Sequence, residues 1–179
     1  MKIFKAIPAL AAVAVLAALF VTEPVLAQSP KLSDPEIASV AVTANQLDIN
    51  YASIASKKSK DAEVLKFAAT MARDHQAIID QAVALVKKLG VTPKDNAVSK
   101  KLSADAEATK KSLRAKSGHA FDKAYINNEV AYHKAVISAV ESLLIPQSQN
   151  AELKQLLQNV VPALKAHLEH AEMIQKTMK

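Results

Sequence analysis

The chain has 179 residues, 50% of them hydrophobic, with 23 basic against 17 acidic side chains and a formal charge of +6. It contains no cysteine, which excludes disulfide scaffolds and thiolate chemistry and leaves packing to hold the fold. The basic excess is spread along the chain without a recognition motif or an aromatic stacking set, which argues against nucleic acid as a partner.

Residues 1–27 read as a secretory signal. Lys2 and Lys5 precede the apolar run Ala6 to Val21, Pro24 breaks it, and Val25-Leu26-Ala27 supplies the small-residue ending. A retained anchor is the rival reading, because the run approaches the length that spans a bilayer. Cleavage leaves a periplasmic protein with a short polar lead, 28–33, and one helical domain, 34–179. About 150 residues suit a single core. Only two glycines occur, and alanine, lysine, leucine and glutamine abound, which favours helices over sheet.

Ser33-Asp34-Pro35-Glu36 starts the first predicted helix, with a capping hydroxyl ahead of a proline whose missing N–H the first turn does not need. Its apolar stripe is Ile37, Val40, Ala44, Leu47, Tyr51 and Ile54, and polar residues 56–60 end it. Ser59 or Asp61 caps the second helix, which runs to Leu89 and stops at Gly90, the residue suited to a left-handed closing turn. Val91-Thr92-Pro93 breaks the chain. A shorter third helix covers about 97–116, closed by Gly118, and its thin stripe of Leu102, Ala106, Thr109 and Leu113 predicts a place at the edge. The fourth runs from about Phe121 to Ile145, where Pro146 through Asn150 mark a turn. The remainder is a fifth helix that Pro162 is expected to bend or divide. Four long helices and a shorter one, joined by short connections, predict an all-α fold, an up-and-down antiparallel four-helix bundle with an additional shorter helix.

Three of the five histidines fall on apolar stripes. His75 follows Val64, Ala68 and Met71 and precedes Ile78, Ala82, Leu85 and Leu89. His133 stands in Ile126, Val130, Ile137, Val140 and Leu144. His167 stands in Leu153, Leu157, Val160, Leu164, Ala171, Ile174 and Met178. The alternating three-and-four spacing turns each imidazole inward. A buried ring nitrogen without a partner costs on the order of 1 to 3 kcal/mol, so three of them point to a shared polar centre.

Neutral imidazole binds divalent transition metals, and bundles build such sites from inward side chains on facing helices. His75, His133 and His167 are therefore candidate metal ligands. Asp74 precedes His75, Glu129 lies four residues before His133, and Asp48 borders the first stripe beside Tyr51, so these three carboxylates are the supporting set. No Glu-x-x-His occurs in the chain, which disfavours a ferritin-style di-iron oxidase and leaves a mononuclear or adventitious site as the metal reading. The same histidines also suit a purely structural hydrogen-bond network closed by Asp48, Asn50, Tyr51, Asn128, Tyr132 or backbone carbonyls. Ideal antiparallel pairing offsets His133 from His167 by about 7 to 8 Å along the axis. No nucleophile or oxyanion arrangement can be assembled, so no catalytic residue is assigned and an enzyme is not the favoured reading. His119 and His170 lie off the stripes and are expected to be exposed, while Met71, Met173 and Met178 read as core filling.

The segment Leu65-Lys66-Phe67-Ala68 through Met71-Ala72-Arg73-Asp74-His75, the run Gly118-His119-Ala120-Phe121-Asp122-Lys123-Ala124-Tyr125, then His133, and Val161-Pro162-Ala163-Leu164-Lys165-Ala166-His167-Leu168 resemble the bacterial domain-of-unknown-function family numbered 4142. The resemblance covers about residues 34–177. It implies export and a ferritin-like bundle, with Asp74, His75, Phe121, Asp122, Tyr125, His133, Pro162 and His167 at recurring family positions. The family often carries acidic residues where this chain has Asp48 and Asn50, so one carried-over ligand is shortened and another has no charge. The expectation is a periplasmic helical bundle tied to metal handling or envelope stress. The alternative is an interaction module that meets an envelope protein or an anionic membrane surface, with the histidines serving structure alone.

Overall fold

Residues 30–178 are described by a computed structural model of the chain. The expected signal segment and the first two residues of the polar lead lie outside them. Helices α1 (Asp34–Lys58), α2 (Ala62–Lys88), α3 (Ala97–Arg114) and α4 (Gly118–Ala139) are followed by a π-turn, Val140–Leu144. The short α5 (Ile145–Gln147) and the long α6 (Ala151–Thr177) complete the order, and no strand occurs among the described residues.

Local chemistry sets these boundaries. The Glu36 carboxylate accepts the Ser33 N–H at 3.0 Å and its hydroxyl at 2.6 Å, closing the first turn of α1. Asp61, Asn96 and Asn150 cap α2, α3 and α6 by accepting free N–H groups of the first turn. Gly90 follows α2 with φ +65°, as expected of a closing glycine. Gly118 has φ +57° but stands at the first position of α4, and α3 has already ended at its Ala115 cap. Pro162 does not divide α6, which is continuous across it. Pro146 is the proline that alters its helix. It has no N–H, and its ring conflicts with the carbonyl four residues back. The preceding turn widens to π geometry, with the Ile145 N–H bonded to the Val140 carbonyl.

Hydrogen bonds between helix ends give the directions. The Lys94 N–H reaches the Pro35 carbonyl at 3.0 Å and the Asn96 amide reaches that of Glu36 at 3.0 Å, joining the starts of α3 and α1. Lys58 Nζ donates to the Arg114 carbonyl at 2.6 Å, joining their ends. The Asp34 carboxylate accepts the N–H groups of Gln149 and Asn150 at 2.9 Å each, which brings the α5–α6 connection to the start of α1. So α1, α3 and α6 run one way, and α2 and α4 the other. Both α1 and α6 pack on α2 and α4, which makes each of these neighbouring pairs antiparallel. The chain passes from α2 to α4 by way of α3, which lies mainly against α1 at the edge.

Because α3 covers its outer side, α1 buries more than one stripe, adding Ala38, Ala52 and Ala55 to the predicted set. The core divides in two. One cluster includes Phe67, Met71, Phe121, Tyr125 and Ile126, and the other includes Ile37, Val40, Val140, Leu144, Leu153 and Leu157. Between them lies a layer of buried polar groups, Asp48, His75, Glu129, His133 and His167. Met71 is core as expected, whereas Met173 is 58% exposed, since its position turns away from the Ala171–Ile174 stripe. His119 is exposed. His170 is half-buried, its ring 5.2 Å from that of Phe67, because the large phenyl reaches the flank of α6. No helix among the described residues is long and apolar enough to cross a membrane.

Phe67 is fully buried, so Phe67→Ala is expected to lower unfolding free energy by about 3 to 5 kcal/mol. Val83 is 51% exposed, and Val83→Ala is expected to stay within about 0.5 kcal/mol of the parent. Urea denaturation followed by circular dichroism checks both.

Candidate metal centre

Each of the four bundle helices sends a group into the polar layer. Asp48 comes from the middle of α1, His75 from the middle of α2, Glu129 and His133 from one face of α4, and His167 from α6. The ring centroids of His75, His133 and His167 are 5.3 to 5.6 Å apart, so the axial offset expected from ideal pairing does not separate them. One donor atom from each of these three residues lies within 4.8 Å of the others, and the same holds for Asp48, Glu129 and His133. His133 is common to both sets.

The hydrogen bonds assign the ring protons. Asn45 Nδ2 donates to the Ala41 carbonyl at 2.8 Å, which turns Asn45 Oδ1 toward His75 Nδ1 at 2.7 Å. An amide oxygen only accepts, so His75 carries its proton on Nδ1. His133 Nδ1 donates to the Glu129 carbonyl at 3.0 Å, and His167 Nε2 donates to Asp74 Oδ2 at 3.0 Å. The remaining nitrogens, His75 Nε2, His133 Nε2 and His167 Nδ1, are buried lone pairs with no hydrogen-bond partner. Both oxygens of Asp48 and Oε2 of Glu129 are likewise buried without one. Asp48 Oδ2 stands 3.5 Å from His75 Nε2 and 3.8 Å from His133 Nε2, beyond ordinary hydrogen-bond length.

Burial keeps all three imidazoles neutral. It lowers His75 to about 3 and His133 to about 4, and it lowers His167 as well, with Asp74 pulling the other way. The buried carboxyls move in the opposite sense. Burial raises Asp48 to about 7, while burial and then the neighbouring Asp48 raise Glu129 well above the ordinary range. Asp74 differs because it is on the rim. Burial pushes it upward, but hydrogen bonds from Arg73 and His167 outweigh that and hold it below its ordinary value. Arg73 Nε meets Asp74 Oδ1 at 2.8 Å.

This donor set fits a divalent transition metal. A metal-ligating histidine needs a deprotonated nitrogen toward the ion and an N–H anchored by an acceptor on the other side, and all three rings have that polarity. Bonds of about 2.0 to 2.1 Å place imidazole nitrogens about 3.3 Å apart around one ion, so the groups need to close by about 1 Å or more from their widest separation. With both carboxyls ionised the inward atoms face one another without donors, so a network closed by protein groups alone requires protons on Asp48 and Glu129.

The expected residues divide accordingly. His75, His133, His167, Asp48 and Glu129 come together, while Asp74 orients His167 from outside. Among the residues considered for a structural network, Tyr132 donates to the Ala44 carbonyl at 2.8 Å and Asn128 reaches Glu129 Oε1 at 3.5 Å. Asn50 instead faces Gln46 on the exposed side of α1. Asn45 was absent from the expected set. Its signal is its place three residues before Asp48, on the same helix face. Tyr125 stands one turn before Glu129 on α4 and is also buried, its hydroxyl has no hydrogen-bond partner, and burial, then Glu129 and Asp48, push its phenol upward.

Comparisons with known proteins agree with this architecture. A DUF305 protein from Streptomyces coelicolor, assigned as secreted, superimposes with a TM-score of 0.68 at 11% identity, over 80% of this chain and 91% of that one. The structure of CopM in its Cu(II)-bound form gives a TM-score of 0.63 at 13% identity, over 84% of this chain and 100% of that one. At such identities the likeness is one of fold. No curated protein sequence matches the chain. The profile of DUF4142, a domain of unknown function, matches residues 21–174, and the chain belongs to that family.

Proposed function

We propose that this protein binds one divalent transition-metal ion between His75, His133 and His167, with Asp48 as a further ligand, and serves metal handling in the periplasm. The observation that carries the reading is the common polarity of the three rings, each anchored on its outer nitrogen and free on its inner one. Charge supports the divalent state and the single ion. Ionised Asp48 and Glu129 together bring two negative charges into a layer of neutral imidazoles, and one divalent cation balances them. A second cation leaves a buried surplus of positive charge, which is costly. Imidazole with carboxylate suits zinc, copper, iron or nickel. The fold shared with a copper-bound protein is compatible with this reading and does not select the metal.

Export rests on the Lys2-to-Ala27 signal pattern. N-terminal sequencing of the mature protein is expected to begin near Gln28, and a product that keeps Met1 or Lys2 contradicts it.

Elemental analysis of protein purified without an affinity tag, together with metal titration, is expected to give one equivalent per chain. The combined variant His75→Ala, His133→Ala, His167→Ala loses it. In the same titration, Asn45→Ala weakens affinity by about 10- to 100-fold by releasing the His75 ring. Metal-free protein that takes up no ion, with variants that merely melt earlier, refutes the proposal.

Asp48 separates a ligand from a structural residue by the sign of its effect. In metal-free protein it keeps its proton up to about pH 7, against an ordinary value of 3.8 in the unfolded chain. Its contribution to stability is therefore fully present below about pH 4 and is lost as pH rises to about 7. Asp48→Asn is neutral throughout. With chelator present, its stability relative to the parent is expected to increase from pH 4 to 7, by at most about 1.4 kcal/mol per pH unit, and then level off. With metal present the same variant is expected to bind more weakly. Chemical denaturation across that pH range, with and without metal, checks both directions.

A further inference from the structure

Inside the half of the bundle where α1 begins, a chamber of about 340 Å³ adjoins the polar layer. His75 and His133 line one end, and Val140, Leu144, Leu153 and Leu157 line the other. From His133 to Leu144 the chain climbs about 16 Å along the axis, so the space is long rather than round. Its mouth lies among α1, α3 and α4, where the lining residues Asp105, Ala131 and Ala135 are exposed.

The lining states what the chamber accepts. Most of its wall is aliphatic, with Asn45, Tyr51, Thr109, Asn128 and Tyr132 joining the two histidines, so away from these groups water finds few partners. No lysine or arginine lines it, and the single carboxylate, Asp105, is at the mouth. An anionic ligand therefore finds no countercharge from a protein cation, and a cationic one finds none along the inner walls. The polar contacts gather toward the histidine end. A concave, mainly apolar space of 300 to 1,000 Å³ with a few convergent polar groups is the physical form of a small-molecule site.

We infer that this chamber binds an uncharged, chain-like apolar molecule with one polar end, its aliphatic part among Leu144, Leu153 and Leu157 and its polar atom at His75 and His133. Because the same two imidazoles are donors in the metal centre, occupancy of the chamber and of the centre influence each other, and that influence is reciprocal. The coupling rests on the proposed metal function, whereas the binding of an apolar molecule does not.

The test uses the tag-free chain, metal-free and loaded with Co²⁺, and the uncharged dye N-phenyl-1-naphthylamine. Dye fluorescence is expected to increase several-fold on binding, and 1-octanol is expected to reverse it. Ala82→Phe and Ala139→Leu add bulk to the lining without altering a donor atom. Each is expected to weaken dye binding by about tenfold, equivalent to about 1.4 kcal/mol, with circular dichroism and Co²⁺ stoichiometry unchanged. In the loaded protein, 1-octanol shifts the visible Co²⁺ band. Absence of dye binding, or binding that persists in both folded variants, overturns the chamber as a site. A Co²⁺ band unmoved by saturating 1-octanol overturns the coupling. Dye binding by protein that takes up neither Co²⁺ nor zinc, copper, iron or nickel supports the chamber and refutes the metal proposal.

Discussion

Five ionisable groups buried in one layer between two apolar clusters are the constraint around which this bundle is organised. Two of them, Asp48 and Glu129, and the ring of His133 have no exposure at all. Little water reaches these groups, so the stability of the layer depends on which protons and ions it contains. The carboxyls are driven toward their protonated form and the imidazoles toward their neutral form by the same desolvation. The metal-free layer therefore carries little charge while its carboxyls hold their protons and becomes negative as Asp48 ionises near pH 7.

The surroundings of the layer explain why its rings have a definite orientation. A side-chain amide, a backbone carbonyl and a rim carboxylate each hold one imidazole N–H. These acceptors differ in mobility. The Glu129 carbonyl is part of the α4 backbone and Asn45 is tied to Ala41, whereas Asp74 lies on the exposed edge beside Arg73. Of the three rings, His167 is accordingly the one whose outer anchor communicates with solvent. The layer is thus fixed by acceptors on α1 and α4 and open to solvent through the hydrogen bond between Asp74 of α2 and His167 of α6.

Much of this was legible beforehand because helical periodicity is local. The stripes on α2, α4 and α6 predicted inward histidines, and the Ser33, Asp61 and Gly90 signals matched real boundaries. The backbone held less of it: Gly118 opens α4 and does not close α3, Pro162 leaves α6 undivided, and nothing in the sequence announced the π turn before Pro146. A proline's cost depends on whether neighbouring turns and packing can absorb a missing bond, and sequence does not carry that information. Met173 illustrates the same limit for burial, since its exposure depends on the rotation of α6 against its neighbours.

The amino-acid sequence by itself determined the helices, the class of the fold and the inward direction of His75, His133 and His167, because each follows from chemistry and spacing within a few residues. Tertiary structure alone decided that the three rings meet at one height and that Asp48 joins them. It also decided that Asp74 remains outside as an anchor and that Asn45 holds His75. Those outcomes depend on the axial register and rotation of helices far apart in the chain, and register is set by how two whole clusters of side chains interlock.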